Sequence, residues 1–299
     1  MEGNSTPDIV ILGHIAIDTN KFPWGRIEST IGGAPTYAGL ALAALKKRAG
    51  VVSKIGTNFT EQFPPIYSKL GLDTEGILVS GEHTTTFENV YDEEENRTQL
   101  CKHIAPRINP EDIPPRYLGA GGFYISPLAD EVPPETIEKI KGKNNLVMMD
   151  PQGLFRQVDE TGKVTVNPEV DLERFLKHVD VVKLGRDEAS AIKKEPKKLL
   201  EELCGFGPKV AILTQGSKPS LVLSDGKFHE VKSLEVEVRD LTGAGDVFGG
   251  AFLVRYLDTN NVIESAHFAS AAAGLKIRYK GPTGFPSENE ILDAIESAE

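Results

Sequence analysis

Cysteine is nearly absent: Cys101 and Cys204 are the two in 299 residues, and no CxxC pair exists. That excludes a disulfide framework and a thiolate zinc site, and it fits a reduced, cytoplasmic compartment. Positive charge is also short, with 33 Lys and Arg against 44 Asp and Glu for a net charge of -11, which argues against nucleic acid or an anionic membrane as partner. No apolar run approaches the roughly 18 residues of a membrane span, and Met1 to Pro7 lacks the basic and apolar regions of an export signal. The six histidines (14, 83, 103, 178, 229 and 267) show no HExxH spacing and read as surface or packing residues. A Walker P-loop is missing, because the Gly-Lys pairs at 142, 162 and 226 are followed by Asn, Val and Phe. G-x-G-x-x-G after the first strand and G-x-S-x-G are missing too, which removes the usual dehydrogenase and hydrolase readings.

What is present is ordinary globular composition, 39% hydrophobic and 26% charged, in a length that suits about two domains or one large α/β unit. Ile9-Val10-Ile11-Leu12 is a buried-strand run ending at Gly13, and Ala34 to Lys47 reads as a helix after the Gly32-Gly33 pair. Further strands are expected at Val51 to Ile55, Phe123 to Ile125, Leu146 to Met149, Val179 to Leu184 and Val210 to Thr214. Helical segments such as Glu135 to Lys141 and Lys197 to Leu203 separate them. This β-then-α rhythm predicts an α/β fold whose mainly parallel sheet is covered on both faces. Thr84 to Tyr91 and Arg97 to Ile104 break it as a hairpin with a polar tip, Asp92 to Asn96, read as solvated and not as a metal site. Asp18 to Ile31, an irregular piece carrying Phe22, Pro23 and Trp24, joins it. Residues 18–31 and 84–105 are thus read as a small β-lid over a body formed by 1–17, 32–83 and 106–299.

The stretch Asp240-Leu241-Thr242-Gly243-Ala244-Gly245-Asp246 carries the chemistry. Leu234, Val236 and Val238 alternate before it as in a half-buried strand, and Val247, Phe248, Ala251 and Phe252 follow with helical spacing, so the glycines occupy a strand-to-helix turn. First-turn amides lack intrahelical partners, and Gly243, Ala244 and Gly245 leave them unobstructed, which makes the turn an anion cradle. A carboxylate there repels a bound phosphate. Asp246 is therefore either a plain N-cap, a role Thr242 or Asp240 fills as well, or the base that takes the proton of a substrate hydroxyl beside a transferring phosphoryl group.

Open α/β sheets bind ligands beyond the carboxyl ends of their strands. Asp18 after the first strand is placed for two hydroxyls of a polyol, or is a turn residue; Gly32 and Gly33 admit close approach of a substrate, or form a hinge. Glu188, opening a helix after Lys183-Leu184-Gly185, is a water-mediated magnesium ligand or a residue favoured by the helix dipole. Thr214-Gln215-Gly216 ends a strand and is a phosphate contact or a turn.

In order along the chain, Gly13-x4-Asp18, Gly32-Gly33, Gly56 after a strand, the lid hairpin, Asp150-Pro151-Gln152-Gly153, Glu188, Thr214-x-Gly216 and the 240–246 segment resemble the ribokinase-like (PfkB) carbohydrate kinases. The resemblance spans nearly the whole chain. It implies a three-layer α/β/α body, Asp246 as catalytic base and Gly243, Ala244 and Gly245 as anion hole. It further implies Asp18, Gly32, Gly33 and Gln152 on the acceptor, and Lys183, Thr214 and Gly216 along ATP. Magnesium, held by Glu188 through water, belongs to the same picture, and so does a place for a monovalent cation.

Two departures stand out: Ala34 follows the double glycine where the family often has Asn, and Gly185 replaces the Asn of its Asn-x-x-Glu. Gly32 to Tyr37, Asp150 to Gly153 and Lys183 to Glu188 look most like archaeal myo-inositol kinases, which implies ATP-dependent phosphorylation of a cyclitol hydroxyl. A neutral acceptor also suits the lack of an Arg/Lys cluster among these residues, Arg97 and Arg156 excepted. The alternatives are a kinase for a nucleoside, ribose, fructose or sugar phosphate, and a catalytically silent ligand-binding member. The lid hairpin's edge further suggests a homodimer.

Overall fold

The computed structural model describes residues 5–21, 25, 27–60, 67, 70–91 and 97–298, with the side chains of residues 27, 28, 91 and 97 left aside. Phe22, Pro23, Trp24, the hairpin tip at 92–96 and the Arg97 side chain thus lie outside the described residues. Among these, the large sheet has nine strands in the order β15-β14-β13-β12-β9-β8-β1-β4-β5. Its centre is β1 (Ile9–Leu12), which pairs in parallel with β4 (Ala49–Ile55) on one side and β8 (Gly122–Ile125) on the other. Beyond β4 lies β5 (Asp73–Val79), and beyond β8 come β9 (Leu146–Met149), β12 (Val181–Leu184) and β13 (Val210–Gln215), all parallel. Two antiparallel strands, β14 (Lys218–Ser224) and β15 (Lys227–Val231), finish that edge.

The continuous apolar runs follow from burial on both faces. In β1, Ile9 and Ile11 enter one core with Tyr37, Leu42, Val247, Phe252 and Phe268, from the helices Ala34–Ala44, Ala244–Thr259 and Val262–Lys276. Val10 and Leu12 enter the other, with Ile137, Leu176, Leu200 and Leu203 from Pro134–Ile140, Leu172–Leu176 and Pro196–Gly205. Two helical layers therefore sandwich the sheet, as an α/β/α body requires.

The chain leaves β1 toward β4 but returns on the opposite side as β8, so the crevice at their carboxyl ends is a topological switch point. A second sheet lies there, ordered β3-β2-β6-β7: β2 (Ala16–Lys21), β3 (Ile27–Gly32), β6 (Thr85–Tyr91) and β7 (Arg97–His103). Residues 18–21 and 27–31 are accordingly not irregular. They belong to the antiparallel strands β2 and β3, β2 also lies parallel to β6, and that pairing satisfies backbone groups an irregular loop would leave open.

A short hairpin of β10 (Arg156–Val158) and β11 (Val164–Val166) was not anticipated; it meets the small sheet through a bridge from Leu100 to Lys163 and a 2.7 Å bond from Cys101 N–H to the Gly162 carbonyl. The strand expected at 234–238 does not form. Its alternation is real, but the segment runs along the Val262–Lys276 helix with no strand to pair with, Leu234 resting on Gly274 and Val238 half exposed. No helix among the described residues is long and apolar enough to cross a membrane, and both cysteines are free.

Candidate active site

A cavity of about 700 Å³ opens between the small sheet and the carboxyl ends of β1 and β8. Its walls bring together Asp18, Gly33, Gln152, Gly243 and Asp246, which sequence reasoning had chosen from four separate segments. Gly33 has φ 86° and caps the Ala34–Ala44 helix; a Cβ there would strike the His14 carbonyl, and one on Gly32 would occupy the place of the Asp18 carboxylate. The double glycine lets Asp18 reach the cavity from β2.

Gly243 takes up the left-handed conformation, φ 76° and ψ 2°, at the head of the Ala244–Thr259 helix, and a Cβ would run into the Tyr37 ring. No side chain caps this helix, so neither Asp246, Thr242 nor Asp240 performs the bland capping role. Asp240 instead accepts from the Thr242 and Gly281 N–H groups, at 2.9 and 2.7 Å. One amide of the expected cradle turns inward: Ala244 N–H donates to the Leu241 carbonyl at 3.2 Å, because the left-handed residue before it closes a tight turn. The amides of Gly245 and Asp246 follow in the first turn, where the helical ladder supplies no acceptor.

Asp246 is buried at 8% exposure, and Ser126 Oγ donates to its Oδ1 at 3.1 Å. Ser126 is a residue the sequence reading missed. It accepts in turn from Gln152 Nε2 at 2.9 Å, and Arg156 donates to Gln152 Oε1 at 3.3 Å and to the Leu128 carbonyl at 3.2 Å. A directed chain of donors thus runs from the cavity wall to the candidate base. Burial, then repulsion by Asp150, raises the Asp246 pKa to about 6 against the pull of Lys183, Ser126 and Arg156.

Lys183 is not an open nucleotide contact: its side chain is buried and its ammonium pairs with Asp150 at 2.5 Å. Burial pulls its pKa down, but the charge of Asp150 outweighs this and the net direction is up. The ammonium still lies against the turn, since a Cβ on Gly245 would come within 3.2 Å of Nζ. Glu188, in the first turn of Arg186–Ile192, has its pKa raised by burial and then by Asp150. Two carboxyls lifted by burial and by the charge of Asp150, beside one lysine, are a surplus of negative charge that a divalent cation would relieve. Among the described residues, though, no three His, Cys, Asp or Glu groups converge to hold a metal directly. These residues fit a magnesium held mainly by polyphosphate, with Glu188 reached through water.

Thr214 and Gly216 do not line the cavity. They end β13 beside β12, Thr214 Oγ1 donating to the Leu184 carbonyl at 3.2 Å and Gly216 left-handed at φ 66°. Arg156, the exception the sequence already offered, does line the cavity, and the structure adds two further cations there, Arg239 and Lys280. They come from segments far apart in sequence, which spacing cannot register.

The chain matches the pfkB family of carbohydrate kinases over residues 135–289, and over 256 residues it is 32% identical to a cytidine kinase of Thermococcus kodakarensis, covering 83% of this chain and 88% of that one. It belongs to the PfkB family and is a kinase of that family. Among solved structures, it superposes on a pyrophosphate-dependent kinase of the ribokinase family, complexed with a pyrophosphate analog and myo-inositol, with TM-score 0.79, 24% identity and coverage of 96% and 99%. A ribokinase from Thermotoga maritima gives 0.80, 21%, 97% and 99%. These likenesses show the ribokinase fold.

Proposed function

We propose that the chain transfers the γ-phosphoryl group of ATP, carried with magnesium, to a hydroxyl of myo-inositol. Asp246 is the base: it is buried, hydrogen-bonded by Ser126 and adjacent to the first-turn amides, so a hydroxyl placed between it and the turn loses its proton as the new P–O bond forms. The amides of Gly243, Gly245 and Asp246, with Lys183 behind them, face the charge that develops on the phosphoryl oxygens. Magnesium, when bound with the nucleotide, offsets charge between the phosphates. Glu188 would hold it through water, and Thr214 and Gly216 would lie along the nucleotide beyond the cavity.

The observation that carries the acceptor is the lining of the lid side. Asp18, Asn20, Ser29, Thr30, Asn89 and Gln99 of the small sheet, joined by Gln152 and Arg156 of the body, present hydrogen-bonding groups, whereas the aromatic rings among the described lining residues are covered. Phe87 is 2% exposed with the Arg156 guanidinium over its face at 5.5 Å, and Tyr37 is 1% exposed. Such a wall suits a ring bearing hydroxyls all round and offers no free face for a flat base to stack on. The structural neighbour complexed with myo-inositol supports this reading.

A nucleoside acceptor is the second reading, favoured by the 32% identity to a cytidine kinase and by the linked carboxamides of Asn20, Asn89 and Gln99, which match the edge of a base. Turnover of myo-inositol, cytidine, ribose, fructose and a sugar phosphate with ATP and magnesium separates them. Myo-inositol is expected to lead cytidine by at least about tenfold in kcat/KM, as hydrogen-bonding sites discriminate strongly. Cytidine turnover without inositol turnover would replace the first reading by the second. The proposal includes a homodimer through the small sheet, whose edge strand β3 pairs with no further strand among the described residues; a monomeric mass by light scattering would refute it.

A further inference from the structure

Lys276, the last residue of the Val262–Lys276 helix, is fully buried, and the transfer described above gives it no role. Burial pulls its pKa below the ordinary lysine value, with Asp240 acting in the opposite sense. Asp240 is itself held by the backbone N–H groups of Thr242 and Gly281. The Lys276 nitrogen instead donates to the Thr242 carbonyl at 2.6 Å and lies over the Tyr37 ring, 5.0 Å from its centroid. The next carbonyl, that of Ile277, accepts from the N–H groups of Arg239 and Asp240 at 2.9 and 3.1 Å. One helix end therefore grips the chain immediately before the candidate anion cradle.

The Thr242 carbonyl and the Gly243 N–H belong to one trans peptide plane and point in opposite directions. An ammonium that holds the oxygen on the protein side leaves the N–H facing the other way, where Thr242 and Gly243 line the cavity. It also polarises the amide into a stronger donor. We infer that Lys276 is a positioning residue: its ammonium aims the Gly243 N–H at a phosphoryl oxygen and stands as a built-in positive charge behind the turn. A cation belonging to the chain at this place makes an added monovalent cation dispensable to the turn. The inference rests on the reading of 243–246 as a phosphoryl cradle and is independent of which acceptor is used.

The test compares the wild type with Lys276→Met and Lys276→Gln in turnover and in calorimetric binding of magnesium ATP. For a folded Lys276→Met variant, kcat is expected to fall about 10²-fold, the scale of losing an oriented oxyanion donor. Nucleotide binding should weaken about tenfold, with the acceptor KM little changed. Ammonium chloride, but not tetramethylammonium chloride, should restore part of the loss, which a merely structural defect would not show. Wild-type rates should be the same in potassium and choline chloride. Unaltered turnover and binding in a folded Lys276→Met variant, or a strict wild-type requirement for added potassium, would overturn the inference. Should Lys276→Met fail to fold, Lys276→Gln decides by the same readouts, because its carboxamide keeps a polar end at the site without charge. Should no acceptor turn over, the acceptor assignment fails by itself, and the binding comparison still decides the role of Lys276.

Discussion

Burial and the neighbouring Asp150 hold the Asp246 pKa near 6, with Ser126 and Lys183 pulling against them. A base must be ionised to accept a proton, so kcat/KM is expected to fall as pH drops below about 6 in the free enzyme, where that value applies. Ser126→Ala removes a donor that favours the carboxylate and should move this acid limb about half a pH unit upward; an unmoved limb would separate Ser126 from the base. The stability consequence has the opposite sign from that of a paired carboxylate. With a folded pKa above the unfolded value, the native state binds more protons between about pH 4 and 6, so stability falls as pH rises through that window. The carboxylate then costs about 3 kcal/mol at neutral pH, from a difference of some two pKa units. Asp246→Asn should therefore raise the melting temperature at pH 7 and leave it nearly unchanged at pH 4; a lower value at pH 7 would contradict the assigned environment.

At the scale of elements, the turn and the helix it opens act together. Gly243→Ala would place a methyl group against Tyr37 at a left-handed φ, so it should destabilise the protein by at least about 1 kcal/mol and abolish most turnover. A melting curve and activity at wild-type levels would show that the turn tolerates a different shape. The parallel strands were legible because burial on both faces demands unbroken apolar runs, and Ile9–Leu12 and Leu146–Met149 carry them. The edge was read less well. Alternation at 234–238 looked like a strand but has no partner, while β14 and β15 passed unnoticed despite Asp225-Gly226, whose positive φ values of 49° and 70° mark the tight hairpin turn that an Asp-Gly pair signals. The β10–β11 hairpin was invisible for another reason: three-residue strands are too short for periodicity to register.

For the whole molecule, the cavity exists because a small sheet is folded over the switch point of a large one, and its chemistry is divided between them. Asp246, Gln152 and Gly243 come from the body, and Asp18 from the small sheet. The glycine-rich turn and its aspartate could be read from local spacing. Ser126, Lys276 and the cations Arg239 and Lys280 could not, because what gives them a role is proximity across the fold and not any pattern in the chain. The proposed acceptor rests on lid-side polarity, but the account stands first on phosphoryl transfer with Asp246 as the base. Its most direct test is acceptor-dependent ADP release by the wild type and by Asp246→Asn, with nucleotide affinity measured on both. The account predicts clear acceptor-dependent release by the wild type, at least about 10² lower kcat in the variant, and similar ATP affinity in the two. Near-normal turnover in Asp246→Asn would contradict it.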